Sequence, residues 1–128
     1  MEINAQSGAI QEVSSDLIVV NLFQGVEQPG GATGAVDSAL GGAIREMIAA
    51  GDFHGKAEEL AILYSRGAIP AKRVMIVGLG EREKFSLDMV RRAAAVVARK
   101  ARELGITRYH SIVHGAGNAG LDPQAAAQ

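Results

Sequence analysis

The sequence has no cysteine and no tryptophan, and it holds only three phenylalanines and two tyrosines among 128 residues. Without cysteine the chain can form no disulfide framework, no cysteine-ligated zinc or iron–sulfur site and no thiol nucleophile. Its apolar runs, such as residues 17–20 and 74–77, are far shorter than the ~20 residues that span a bilayer. The N-terminus also lacks the basic start and apolar block of a signal peptide. These absences predict a cytoplasmic protein without a membrane span.

Charge is nearly balanced in total, at a formal net value of −1, but it is uneven along the chain. Residues 1–64 hold nine acidic and two basic residues, whereas residues 65–128 hold five acidic and eleven basic residues. Such asymmetry is typical of a nucleic-acid-binding face, or of two surfaces that meet within a fold or an oligomer. We favour the second interpretation, because only Phe85 and Tyr109 lie among the bases, which are too few aromatic residues to stack on nucleotides.

The apolar pattern predicts alternating strands and helices. Segments whose interior is apolar at consecutive positions, typical of strands covered on both faces, lie at 16–22, 60–64 and 73–77. A fourth candidate lies at 109–114 and a weaker edge strand at 3–5. Helices are predicted over residues 35–50, which Gly51 ends, and over 86–105, where Ser86 is the N-cap. This order predicts an α/β domain of three layers, with a mixed, mostly parallel sheet flanked by helices.

Both predicted helices have one apolar side that would pack on the sheet. At about 100° per residue, the second helix places its apolar residues within one arc and its charged residues opposite. The arc consists of Leu87, Val90, Ala94, Val97, Ala101 and Leu104. The opposite side includes Arg91, Arg92, Arg99 and Arg102, a candidate nucleic-acid surface that Asp88 and Glu103 would partly neutralise by pairing within the helix.

One stretch has the character of a binding site. Residues 21–37 read as the end of a buried strand, a glycine-rich loop and the start of a helix near Ala35. Backbone amides at such a helix start can bind an anion, and open α/β folds bind ligands at the carboxyl ends of their strands. The plain alternative is a long loop that needs glycine for its shape alone.

The other motifs are weak as sites. GAGNAG at 115–120 has the spacing of a dinucleotide loop, but the chain ends before the helix, strand and acidic residue that such a site needs. GDFHGKA at 51–57 differs from a phosphate loop in its glycine spacing and in having Ala57 where a hydroxyl would hold magnesium. His110 and His114 would lie about 13 Å apart on a strand, too far to share a metal. The residues alone therefore predict no assembled catalytic site.

The order of several segments resembles the N-terminal domain of the leucine (cytosol) aminopeptidase family. The matching pieces are, in chain order, DLIVVNLFQG, LGGAIREMIAAGDFHGKAEE, RVMIVGLGEREKFSLDMVRRAAAVVARKARELG and AGLDPQAAAQ. The resemblance covers nearly the whole chain. The last piece has aspartate at a helix N-cap and proline at the first helical position, so it predicts the start of a helix and a chain that continues beyond residue 128.

The resemblance implies a macro-domain-like fold over residues 1–120, with residues 121–128 beginning a linker helix to a C-terminal catalytic domain. It implies a hexameric parent enzyme that removes N-terminal residues, preferably leucine, from peptides with two divalent metals, manganese or zinc. The metal ligands and catalytic residues of the family belong to the catalytic domain. None is therefore assigned to these 128 positions, and the chain alone is expected to be inactive and to bind no cofactor itself.

A second hypothesis, from a different functional class, is an ADP-ribose-type binding module. The segment DLIVVN, followed by a glycine loop and GAVDSALGGAI, resembles the ADP-ribose-binding segment of macro domains. By that resemblance Asp16, Asn21 and Gly34 would lie near the ligand. Against it, residues 22–24 are Leu-Phe-Gln where binders usually have small residues and a further asparagine. The turn at 78–80 also differs from their diphosphate loop.

Overall fold

The computed structural model describes residues 9–112, and four strands in this part form one sheet. They are β1 (Ile18–Phe23), β2 (Leu60–Tyr64), β3 (Arg73–Gly80) and β4 (His110–Ser111), arranged in the order β2-β3-β1-β4. β1 pairs in parallel with both β3 and β4, whereas β2 is antiparallel to β3. The predicted mixed, mostly parallel sheet is confirmed.

Helices cover both faces of this sheet. They are α1 (Gly31–Ala39), α2 (Ala43–Ala49) and α3 (Leu87–Glu103), and short 3-10 turns lie at Ile10–Glu12 and Arg82–Lys84. One hydrophobic cluster joins one face of the sheet to α3, and a second joins the other face to α1 and α2. The three predicted layers are therefore present. Within residues 9–112 no helix is long and apolar enough to cross a membrane.

The central strands are apolar at consecutive positions because successive side chains enter different clusters. In β1, Val19 packs on the α3 side, whereas Ile18 and Val20 pack on the side of α1 and α2. In β3, Met75 packs on the α3 side and Ile76 packs on the side of α1 and α2. All of these side chains have no exposed surface, as expected for strands covered on both faces.

The prediction of one continuous helix over residues 35–50 is wrong, because the chain forms α1 and α2 with a break between them. Gly41 and Gly42 occupy the break with φ angles of 72° and 89°, in a left-handed region that favours glycine. Beyond the break, the carboxylate Oδ1 of the buried Asp37 accepts hydrogen bonds from the N–H groups of Ile44 (2.7 Å) and Arg45 (3.1 Å). An aspartate from the end of α1 thus caps the start of α2.

The prediction for α3 is largely confirmed. The hydroxyl of Ser86 accepts a hydrogen bond from the N–H of Met89 at 3.2 Å, so Ser86 is the N-cap. Val90, Val97 and Ala101 of the predicted arc are buried. Leu87 is an exception, with 51% of its surface exposed, because the first turn of α3 lies outside the packed part of the core.

Several predicted boundaries shift. β3 continues through residues 78–80, which the sequence analysis placed at a turn after the strand. α1 begins at Gly31 instead of near Ala35, and β1 continues to Phe23, so the glycine-rich loop between them is confined to residues 24–30. The predicted strand at 3–5, the glycine motif at 115–120, and the predicted helix start at 121–128 lie outside the described residues.

Candidate functional site at the carboxyl end of the sheet

The carboxyl end of the sheet is the end at which β1 and β3 finish, at Phe23 and Gly80, which are partners in the register. In open α/β folds, ligands bind in the crevice outside this end. The loop of residues 24–30 leads from β1 into α1 here. The hydroxyl of Thr33 in α1 donates a 2.7 Å hydrogen bond to the backbone oxygen of Asn21, which joins the helix start to the strand.

A segment of the chain itself lies across this crevice. We call residues 53–59 the crossing segment. The N–H of Gly80 donates to the oxygen of Gly55 at 2.9 Å, and the N–H of Gly25 donates to the oxygen of His54 at 3.4 Å. The crossing segment is therefore bound through its backbone to the ends of both parallel strands.

A second pair of backbone hydrogen bonds joins the crossing segment to Gly78 of β3. The N–H of Gly78 donates to the oxygen of Glu59 at 2.7 Å, and the oxygen of Gly78 accepts from the N–H of Glu58 at 3.0 Å. A Cβ atom on Gly78 would lie 2.0 Å from the backbone oxygen of Lys56. Only glycine allows this close approach of two backbones.

Gly55 makes the same kind of contact with β1. A Cβ atom on Gly55 would lie 2.7 Å from the backbone oxygen of Phe23, and its φ angle of 83° also favours glycine. Gly55 of the GDFHGK motif and Gly78 of β3 thus serve close packing of the chain on itself. The crevice next to these strand ends is filled by backbone.

The side chain of Glu59 fastens the crossing segment from within. Its Oε1 accepts hydrogen bonds from the N–H groups of His54 at 3.1 Å and Lys56 at 3.0 Å, and its Oε2 lies 3.5 Å from Nδ1 of His54. Burial raises the pKa of Glu59, but the N–H groups of Lys56, His54 and Gly55 outweigh it and hold the pKa below its ordinary value. The carboxylate form therefore supports the turn.

An open cleft of about 990 Å³ lies beside the crossing segment. Its walls come from the loop after β1, the break between α1 and α2, one side of α2, and the start of the crossing segment. The charged side chains in the lining are Glu27, Glu46, Arg45 and Lys56, together with His54. Nε of Arg45 is 2.7 Å from Oδ2 of Asp37. Because both signs of charge line the cleft, the lining does not select an anion.

The structure separates the three residues predicted for an ADP-ribose-type ligand. Asn21 and Gly34 lie at the carboxyl end of the sheet, near the start of α1. Asp16 precedes β1 at the opposite end, where its backbone oxygen accepts a 3.3 Å hydrogen bond from Nη1 of Arg73. Asn21 is five positions after Asp16, and in extended chain this offset places their Cα atoms about 16 Å apart.

Asn21 and Gly34 also lie in different surroundings. Because successive side chains of β1 alternate between the two faces of the sheet, Asn21 lies on the same face as Val19, which packs in the α3 cluster. α1 packs on the opposite face of the sheet. Gly34 has a structural reason to be glycine, because a Cβ atom there would lie 2.6 Å from the backbone oxygen of Pro29. Thr33 connects the helix to Asn21 through the backbone of Asn21 alone.

Sequence reasoning missed two carboxylates that shape this end of the sheet. Asp37 caps α2, and the signal for it was the pair of adjacent glycines within an otherwise helical pattern. Glu59 lies outside the predicted strand at 60–64, and in the structure it precedes β2 in the turn that it stabilises. Neither residue has a local pattern that identifies its hydrogen-bond partners.

The basic side of α3 is partly neutralised, as predicted. Nη2 of Arg92 lies 2.7 Å from Oδ2 of Asp88, and Nη1 of Arg92 lies 3.5 Å from a carboxylate oxygen of Glu58 in the crossing segment. Glu103 lies 3.6 Å from Nζ of Lys100. Among residues 9–112, no group of three or more His, Cys, Asp or Glu residues could hold a metal ion.

The fold and this end of the sheet define a macro-domain-like α/β domain. The macrodomain of Mycobacterium tuberculosis DarG superposes with a TM-score of 0.65 at 17% identity, over 90% of this chain and 78% of that one. A Trypanosoma brucei macrodomain in complex with ADP gives 0.65 at 20% identity, over 81% and 43%. A tomato leucine aminopeptidase mutant gives 0.64 at 19% identity, over 91% and 23%.

Sequence comparison identifies the particular family. Residues 19–127 match the model of the cytosol aminopeptidase family, N-terminal domain, and the chain belongs to this family. It is 36% identical over 104 residues to a probable cytosol aminopeptidase of Alkaliphilus oremlandii and 31% identical over 113 residues to one of Roseiflexus castenholzii. These alignments cover 81% and 88% of this chain but 21% of each relative. The chain thus spans about a fifth of the length of these relatives.

Proposed function

We propose that this chain is the non-catalytic N-terminal domain of a dinuclear-metal leucyl aminopeptidase, which releases N-terminal amino acids, preferably leucine, from peptides in the cytoplasm. The observation that carries this proposal is the match of residues 19–127 to the N-terminal domain of the family, together with relatives about five times as long. In this proposal residues 1–120 form the domain, and residues 121–128 begin a linker helix. The following catalytic domain supplies the peptidase activity.

The two divalent metals of such an enzyme, manganese or zinc, do not fit the residues described here. His54 and Glu59 approach each other, but both carboxylate oxygens of Glu59 already accept backbone N–H groups. No third ligand joins them within residues 9–112. We therefore assign the metals, and the chemistry they supply, to the catalytic domain.

The filling of the crevice by the chain itself suits a domain that supports assembly. Backbone of the crossing segment fills the crevice beside Gly78 and Gly80, and the open cleft next to it has a lining of mixed charge that does not select an anion. The partners in this proposal are the catalytic domain of the same polypeptide and other subunits of a homo-hexamer. Peptide substrates would meet the catalytic domain.

The test is peptidase activity of the full-length protein and of residues 1–128. With manganese or zinc added, we expect the full-length protein to hydrolyse leucine amides and anilides. We expect residues 1–128 to give no hydrolysis, while circular dichroism confirms that they are folded. A metal-loaded full-length protein that cleaves no N-terminal residue from any peptide would refute the proposal, and so would activity of residues 1–128 alone.

Calorimetry with ADP-ribose tests the competing hypothesis of a nucleotide-binding module. We expect no heat of binding, because the crossing segment occupies the strand ends and Asp16 lies at the far end of β1. Heat that disappears in Asn21→Ala, and that persists in Lys72→Ala, a variant of an exposed residue at the amino end of the sheet, would favour ADP-ribose binding instead.

A further inference from the structure

Apolar side chains are exposed next to the carboxyl end of the sheet. Phe85 and Leu87 have 49% and 51% of their surface exposed. The ring of Phe85 meets that of Phe23 edge-on, with centroids 5.5 Å apart and planes at 72°. Cζ of Arg82 lies 4.2 Å from the centroid of Phe23. We call Phe23, Phe85 and Leu87 the aromatic patch.

The aromatic patch is ordered by local structure, yet it has no cover within the described part of the chain. The Ser86 N-cap fixes the backbone between Phe85 and Leu87. The contact between the rings of Phe23 and Phe85 fixes the position of this turn beside the end of β1. All of residues 81–88 are exposed. The apolar arc of α3 thus continues one turn beyond the core. Leu87, the first apolar residue of this arc along the chain, belongs to neither of the two hydrophobic clusters.

The last described strand runs toward the carboxyl end of the sheet. β4 lies beside β1 and runs parallel to it, and the N–H of Ile112 donates a 3.1 Å hydrogen bond to the oxygen of Val19. At Ile112, the last described residue, the chain therefore runs toward the end of the sheet where the aromatic patch lies. The relatives of this chain are about five times as long, so the sequence that follows in such proteins is much larger than this domain.

We propose that the aromatic patch is the docking surface for the catalytic domain of the same polypeptide, which covers Phe85 and Leu87 with an apolar surface of its own. This inference rests on the proposed function only in requiring a large domain after residue 128. Two half-exposed, pre-ordered apolar side chains beside an aromatic partner are suited to the buried centre of an interface. Arg82, stacked on Phe23, would lie at its rim.

The experiment uses the full-length protein and the variants Phe85→Ser and Leu87→Ser. Tyr64→Ser is the matched control, because Tyr64 is also a large side chain, 62% exposed, but lies at the other end of the sheet opposite Arg73. We expect cleavage between the domains by a low concentration of protease to become roughly tenfold faster in both patch variants. Hydrogen exchange of residues 81–89 should also rise. Tyr64→Ser should match the wild type in both measurements.

Two outcomes overturn the docking proposal, and a third separates it from the proposed function. Cleavage and exchange that stay at the Tyr64→Ser level in both patch variants would show that nothing docks on the patch. A patch variant that changes the oligomeric state in sedimentation, but leaves cleavage between the domains unchanged, would assign the patch to a second copy of the chain. A full-length protein without aminopeptidase activity, but with the expected patch effects, would refute the proposed function and leave the docking proposal in place.

Discussion

The two ends of the sheet are held together by different kinds of contact. At the carboxyl end, backbone of the crossing segment binds Gly78 and Gly80 directly. At the amino end, where β1 and β3 begin, exposed side-chain contacts add to backbone hydrogen bonds such as that from the N–H of Lys72 to the oxygen of Ser15 at 3.0 Å. Cζ of Arg73 lies 5.7 Å from the centroid of the Tyr64 ring, and Nδ1 of His110 lies 3.2 Å from the hydroxyl of Ser15.

This difference explains which end tolerates change. Backbone packed on backbone leaves no space for an added methyl group, whereas exposed side chains can adopt other rotamers at little cost. In open α/β folds the carboxyl end is the usual place for a ligand. Here the chain itself occupies much of that place, so its glycines serve structure. We expect substitutions at the carboxyl end to have the larger effects on stability.

The largest effect is expected for Gly78→Ala. Its Cβ atom would lie 2.0 Å from the oxygen of Lys56 and 2.5 Å from the carbonyl carbon of Gly55, so the crossing segment would have to leave β3. We expect the free energy of unfolding to fall by about 3 kcal/mol or more, measured by urea denaturation. Gly30→Ala is the control, since a Cβ atom there meets nothing within 4 Å, and a loss below about 1 kcal/mol is expected. Equal losses in the two variants would contradict the close-packing argument.

The next effect is expected at the break between α1 and α2. Asp37→Ala removes the acceptor for the N–H groups of Ile44 and Arg45 and the partner of the Arg45 side chain. We expect a loss of about 2 kcal/mol in urea denaturation. Asp37→Asn keeps an oxygen that can accept the two N–H groups, so it should lose less. A larger loss for Asn than for Ala would show that the cap is not what Asp37 contributes.

The sequence predicted those parts of the fold in which local pattern and tertiary role agree. β1 and β3 were recognised because both of their faces are buried, and α3 because Ser86 and its apolar arc are local signals. The break in the first predicted helix was missed because Val36 and Ile44, on either side of it, enter the same hydrophobic cluster. The apolar period therefore continues across two helices.

The candidate site was less predictable because its contacts are remote and made by the backbone. Any residue can offer an N–H and a carbonyl, so nothing in GDFHGK identified Gly78 and Gly80 as its partners. Asp16 was grouped with Asn21 by a resemblance between sequence segments, which cannot show that a strand carries them to opposite ends. The exposure of Leu87 could not be predicted from the sequence either, because the apolar arc of a helix does not show where the sheet on which it packs ends.

A smaller, pH-dependent effect is expected for Glu59→Gln at the carboxyl end. The pKa of Glu59 lies below its ordinary value of 4.5 in the fold, so the carboxylate stabilises the folded state above that pH. This contribution is lost as the pH falls from about 4.5 through the lowered pKa. At pH 7 the variant should lose about 1 kcal/mol, and its stability should fall less between pH 5 and 3. An unchanged acid slope in urea denaturation would contradict this role.

The smallest effect is expected for His110 at the amino end. Burial, with a further contribution from the charge of Arg108, lowers the pKa of His110 below its ordinary value of 6.5. The folded state therefore prefers the neutral ring, so stability is complete above pH 6.5 and falls as the pH drops from there to the lowered pKa.

His110→Gln should remove this slope between pH 7 and 5 in urea denaturation. The loss should be slight, because the ring is only partly buried and solvent screens its charge. Ser15→Ala keeps the titrating ring and should keep the slope. The two ends would then respond to acid in separate pH ranges, and a slope that survives in His110→Gln would remove that distinction.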